Sequence, residues 1–144
     1  MAFWKSSSGD SDLPKNDRGS GSLNNYAYDL IPRSRKTAIR LASSDARQDE
    51  IQRLLDDGAS GLETAGGRRT VEEERTDAPL EVRLFTGGRV SGVVGVVPRG
   101  LESAIDEAMT RLERAGKKAR IPAAVVKTRH GLRVELQMGA TKSP

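Results

Sequence analysis

The tract GGRVSGVVGVVPRGLESAI, from Gly87 to Ile105, sets five glycines ahead of an amphipathic stretch, where a phosphate-cradling loop would be sought first. A Walker loop needs G-x-x-x-x-G-K-[ST], so that a lysine and a hydroxyl meet the phosphates and their magnesium. No Lys-Ser or Lys-Thr pair directly follows any of these glycines, and Gly87, Gly88, Gly92, Gly95 and Gly100 miss the G-x-G-x-x-G spacing. One strand plus one helix also cannot make the doubly wound sheet that the dinucleotide fingerprint serves. The tract therefore reads as sheet. Gly87 and Gly88 turn a hairpin through positive φ, Gly92 and Gly95 mark a close backbone approach or a bulge, Pro98 ends the strand, and Gly100 precedes a helix. One binding role stays open within it: Arg99, with the N–H groups of that helix start, is a candidate anion site. Glu102 and Asp106 compete for the same field.

Other chemistry is scarce. His130 is the single histidine and there is no cysteine, so the ligand set of a zinc site, thiolate catalysis and disulfides are all missing. Between Arg129 and Gly131, His130 reads as a turn residue, and Glu72 to Glu74 reads as solvated surface. The expectation is a protein that is not an enzyme, with no catalytic residues, no cofactor and no metal.

What the chain does carry is positive charge. Lys and Arg number 24 against 20 Asp and Glu, a net charge of +4. Residues 1 to 80 hold 12 bases against 14 acids, whereas residues 81 to 144 hold 12 against 6. Arg114, Lys117, Lys118, Arg120, Lys127, Arg129 and Arg133 are candidate phosphate contacts, since clustered cations attract nucleic acid with an affinity that falls as salt rises. Phe85 is the candidate stacking residue for an unpaired base. Arginine outnumbers lysine, 17 to 7, and Ala, Gly and Val are plentiful, the composition of a high-GC bacterium or its phage. With no apolar run at the start long enough for a signal peptide and none later long enough for a membrane span, the chain reads as soluble and cytoplasmic.

The elements that must position these residues follow from periodicity. Residues 1–31 are rich in Ser, Gly, Asn and Asp without an apolar period and read as a disordered arm. Residues 32–58 read as a basic stretch and a short amphipathic helix, Asp45 to Asp57, with Asp45 and Gln48 as a capping box, Ile51, Leu54 and Leu55 on one face, and Gly58 as the stop. So narrow an apolar face must dock, either on the main domain or on a second copy of the chain. Residues 59–79 read as a charged, Gly-rich linker. From residue 80 to 139 the pattern is strand, strand, helix, strand, strand. Leu80, Val82 and Leu84 alternate; Val90 to Val97 returns; Leu101, Ile105, Ala108, Met109 and Leu112 make one helical stripe; Ala119 to Val125 and Leu132 to Met138 alternate again. Residues 140–144 form a tail. The predicted fold is α+β, a small ββαββ two-layer domain with one long helix on a four-stranded, mainly antiparallel sheet.

The arrangement APLEVRLFTGGRVSGVVGVVPRGLESAI, followed by PAAVVKTRHGLRVELQMG, resembles the later part of a HIRAN domain, over about residues 77–139. Val94 to Pro98 stand at that family's strand end and Leu101 onward at its helix. Asp77 and Ala78 echo its Asp-x-Asn-Ala stretch without the asparagine, and Val96 stands where the family has an aromatic. The resemblance implies contact with DNA. Together with the charge asymmetry it leads to the expectation of a non-enzymatic nucleic-acid-binding accessory module. The alternative is a protein-interaction or scaffold module, binding a protein partner or forming a homodimer through residues 45–57.

Overall fold

The computed structural model describes residues 13–57, 61–65 and 69–141. In chain order the strands are β1 (Ile39–Arg40), β2 (Glu63–Ala65), β3 (Glu81–Thr86), β4 (Arg89–Val96), β5 (Ala123–Thr128) and β6 (Gly131–Leu136). The helices are α1 (Gln48–Asp56), α2 (Val71–Arg75) and α3 (Glu102–Arg114). The glycine tract is sheet and turn: Gly87 (φ +57°) and Gly88 (φ +80°) reverse the chain between β3 and β4. Gly95 lies against the β1 segment so closely that a Cβ there would stand 2.8 Å from Leu41 Cβ and 2.9 Å from the Ala42 carbonyl oxygen.

The fold is α+β, but the expected four-stranded sheet is not what forms. The two hairpins lie in different three-stranded sheets, β2-β3-β4 and β1-β6-β5, with α3 carrying the chain from one to the other. Each hairpin gains its third strand from the first half of the chain: β1 pairs β6 and β2 pairs β3. Alternation in a sequence tells which residues of a strand share a face and is silent about its neighbour, so this partnering was not legible. The sheets also meet on both sides. Ala42 and Val96 exchange N–H···O bonds of 2.7 and 2.9 Å. Opposite them, Thr64 N–H donates to the Ile121 carbonyl and Ala123 N–H to that of Leu62, each at 2.9 Å.

One core fills the space between the sheets. The predicted apolar positions Val82, Leu84, Leu101, Ile105, Ala108, Met109, Leu112, Leu132, Val134, Leu136 and Met138 are buried in it. So are Ile39, Leu41, Leu62, Ile51 and Leu54, which belong to the half expected to stand apart. Residues 59–79 are accordingly not a linker: they contain β2, and α2 begins with a capping box between Thr70 and Glu73. Arg69 anchors that helix by an ion pair of 3.3 Å to Asp106, both side chains being nearly buried.

The helix expected from Asp45 opens instead as a 3-10 turn over Asp45–Arg47, and no Asp45–Gln48 capping box forms. Long-range partners take both side chains. The Gln48 amide donates to the Leu132 carbonyl and accepts from the Leu132 N–H, and Asp45 accepts from Arg133. The apolar face of α1 docks on β4 and β6 of its own chain, not on a second copy; Glu50 accepts the Gly92 N–H at 2.9 Å. The Gly58 stop lies outside the described residues.

Of the arm predicted to be disordered, residues 1–12 lie outside the described residues, and residues 13–31 are packed on the sheets. Asp17 is buried and accepts from the N–H groups of Ser44 and Asp45. Ser20 and Arg40 exchange backbone bonds, and Tyr26 is buried in the core. Polar anchors and glycine contacts hold this segment, so no apolar period announces it.

Candidate nucleic-acid interface

α3 ends because Gly116 takes φ +75° and the Gly116 and Lys117 N–H groups turn back to the Glu113 and Leu112 carbonyls. This Schellman closure fixes the direction in which the chain leaves, and with it the positions of Lys117 and Lys118. Arg114, Lys117 and Lys118 are exposed, and none forms an ion pair among the described residues. Arg120 is engaged otherwise: its guanidinium lies 4.2 Å over the Phe85 ring and 3.6 Å from a Glu63 carboxylate oxygen. That stacking covers one face of Phe85.

Lys127 and Arg129, both exposed, belong to another end of the molecule. β5 separates them from Arg120, and a strand of that length spans about 20 Å at roughly 3.3 Å per residue. His130 completes the exposed turn, its N–H donating to the Thr128 hydroxyl. The seven predicted cations therefore do not form one cluster.

Two of the predicted binding residues are structural. Arg133 is 1% exposed and sits over β6 as a clasp. It donates to Asp45 at 2.7 Å and to the carbonyls of Asn16, Leu132 and His130, with Asp17 at 3.9 Å. With four of its five N–H groups engaged and its side chain buried, this guanidinium is not open to a phosphate. Arg99 lines a groove of about 380 Å³ with Arg18, Ser20 and Gly100. Its charge is answered by Asp77 at 2.7 Å and Glu102 at 3.1 Å, and the Gly100 N–H is taken by Glu102. The chain's own carboxylates fill the anion site at this helix start.

The tertiary structure supplies what the sequence reading missed. Arg111 donates to the Leu30 carbonyl at 3.3 Å and to the Thr141 hydroxyl at 2.9 Å, tying the 26–32 loop and the C-terminal 3-10 turn to α3. Gly139 packs directly against the Arg35 carbonyl, and its N–H donates to that of Thr37. These contacts hold the segment of the exposed residues Arg35 and Lys36 against the C-terminal 3-10 turn that Arg111 also ties to α3. Tyr28, at the tip of the loop closed by the Tyr26–Pro32 bridge, is fully exposed (104%) and presents its ring to solvent. Adjacent bases in "PRSRK" were a visible signal, but nothing local said that their segment would pack on the C-terminal turn.

Electrostatics at this junction follow from burial. Dehydration lowers the pKa of Arg111, an effect opposed by the nearby charges of Glu107 and Asp29 and by Tyr26. The Tyr26 hydroxyl, buried without a hydrogen-bond partner, is pushed up to about 12 by desolvation, which Arg111 partly offsets.

Compared with protein families, curated proteins and solved structures, the chain matches none. Among the described residues, no helix is long and apolar enough to cross a membrane, and no group of three or more His, Cys, Asp or Glu is placed to hold a metal ion.

Proposed function

We propose that this protein is a non-enzymatic module that binds nucleic acid through the surface around the C-terminal half of α3. The single observation carrying the reading is the tether from Arg111 to Leu30 and Thr141, which ties the loop of the exposed Tyr28 and the turn packed on Arg35 to the helix that ends in the exposed Arg114. Cations next to an exposed aromatic ring combine phosphate attraction with a stacking platform. The resemblance of the sequence over residues 77–139 to the later part of a HIRAN domain is in keeping with the same reading.

The test is equilibrium binding to labelled DNA and RNA, each as duplex and single strand, from low to moderate salt. Wild type should show log-linear salt dependence. Changing Arg35, Lys36 and Arg114 together to Ala should lower the slope by about 2 to 3, at roughly 0.7 to 0.9 per phosphate contact. A wild type with no salt-dependent affinity would end this reading.

A further inference from the structure

Between Pro14 and Asn25 the chain crosses the outside of the fold and buries one side chain, the carboxylate of Asp17. Its attachments among the described residues fall in two groups. In the first, the Asp17 carboxylate accepts from the Ser44 N–H at 2.7 Å and the Asp45 N–H at 3.0 Å. The Asp17 carbonyl accepts from the Ser43 N–H at 2.9 Å, and the Arg133 guanidinium donates to the Asn16 carbonyl. In the second, Ser20 and Arg40 exchange backbone bonds of 3.1 and 2.9 Å, and two glycines bring the backbone onto the body. A Cβ on Gly19 would press on the Arg40 carbonyl and stand 2.8 Å from Pro98 Cγ, and one on Gly21 would stand 2.7 Å from Leu101 Cδ1. The next residue, Tyr26, is the first described residue to enter the apolar core.

Burial of apolar side chains is the main force holding an element on a core, and residues 14–25 place none in this one. Segments with few buried apolar contacts open at a lower free energy than core strands, and they open as cooperative units. We propose that residues 14–25 are a strap that opens and closes as one unit about Tyr26 while both sheets stay folded, with the Asp17 carboxylate as its latch. Closed, the strap pairs the outer edge of β1 at Arg40 and covers Ile39, Pro98 and Leu101, all buried. Open, it uncovers that edge and that apolar strip together, and an unpaired strand edge invites another strand. Access to the β1 edge is thereby set by the latch. The Tyr28 loop lies beyond Tyr26 and is tied to α3 by Arg111, so the strap and the nucleic-acid surface can each fail without the other.

The experiment is amide hydrogen exchange on the full-length protein under native conditions, read residue by residue by NMR. In wild type the N–H groups of Ser20, Arg40, Ser43, Ser44 and Asp45 should share one opening constant. That constant should exceed, by about a hundredfold or more, those of Leu41 and Thr64, whose N–H groups donate to the carbonyls of Val134 and Ile121 in the body. Asp17→Ala removes a charged acceptor shared by two N–H groups, so all five constants should rise together by about tenfold or more, with Leu41 and Thr64 unchanged. Gly19→Ala disturbs the other anchor, at φ +73° and against the Arg40 carbonyl, and should raise the same five by a common factor. If Asp17→Ala does not fold, Gly19→Ala and wild type carry the test. The proposal is overturned if the five exchange at the rate of Leu41 and Thr64 in wild type. It is equally overturned if the effect of Asp17→Ala stops at Ser43, Ser44 and Asp45 and leaves Ser20 and Arg40 as they were, or if that of Gly19→Ala stops at Ser20 and Arg40.

Discussion

Replacing Arg133 by Met keeps the aliphatic stem and removes the guanidinium, which separates a structural clasp from a phosphate contact. The native group binds Asp45 at 2.7 Å, the Leu132 carbonyl at 2.9 Å, and the Asn16 and His130 carbonyls at 3.2 Å, from a position 1% exposed. Removing one partner of a buried ion pair costs about 3–5 kcal/mol. Two features place the expected loss near the lower bound. Asp45 is 44% exposed and rehydrates, and Asp17 keeps the Ser44 and Asp45 N–H groups as donors. A loss of about 3 kcal/mol corresponds to a fall in Tm on the order of 10 °C for a domain of this size. Calorimetry or urea titration reads it, with Arg129→Ala as the exposed control, expected within about 0.5 kcal/mol of wild type. Nucleic-acid affinity measured well below the variant's melting point should keep its salt slope. The reasoning is refuted if Arg133→Met melts with wild type, or if it lowers the salt slope by about one unit as the loss of a direct phosphate contact would.

Tyr26 makes stability depend on pH in the alkaline range. Its folded pKa of about 12 exceeds the unfolded value near 10, so the unfolded chain releases the proton first. The contribution is complete below pH 10 and is lost as pH rises toward 12, by up to roughly 2–3 kcal/mol. Urea titrations at pH 8 and 11 should show a drop in wild type that Tyr26→Phe lacks; since the hydroxyl has no partner, that variant should match wild type or exceed it by about 1 kcal/mol near neutral pH. Gly95→Val should destabilise by about 1–3 kcal/mol or more, because its side chain would meet Leu41 Cβ and the Ala42 carbonyl inside 3 Å; thermal melting checks it, with Gly88→Ala a milder loss from its positive φ alone. Tyr28→Ala should weaken single-stranded nucleic acid by about 1–3 kcal/mol and duplex little, read by anisotropy, if its ring stacks on a base.

What the sequence determined by itself was local. The period of two in residues 81–86 and 132–136, the stripe Leu101–Leu112, the Gly87-Gly88 turn and the Gly116 stop each depend on side chains within a few positions, and each forms where expected, although the last strand ends at Leu136 and Met138 opens a 3-10 turn. The absence of cysteine and the bias of positive charge toward the second half are likewise properties of composition. Tertiary structure decided which strands neighbour one another, because hydrogen-bonding edges carry no residue code, and so split the expected sheet in two. It also decided the fate of each charge. Arg133 and Arg99 look like Arg114 and Arg129 in sequence, and the distant carboxylates Asp17, Asp45 and Asp77, with the neighbouring Glu102, turn the first pair into structural fasteners. The same long-range folding packs the Arg35 carbonyl on Gly139, more than 100 residues away along the chain, in the turn that Arg111 ties to α3. An ion's availability depends on what surrounds it in space, and that information is spread over the whole sequence.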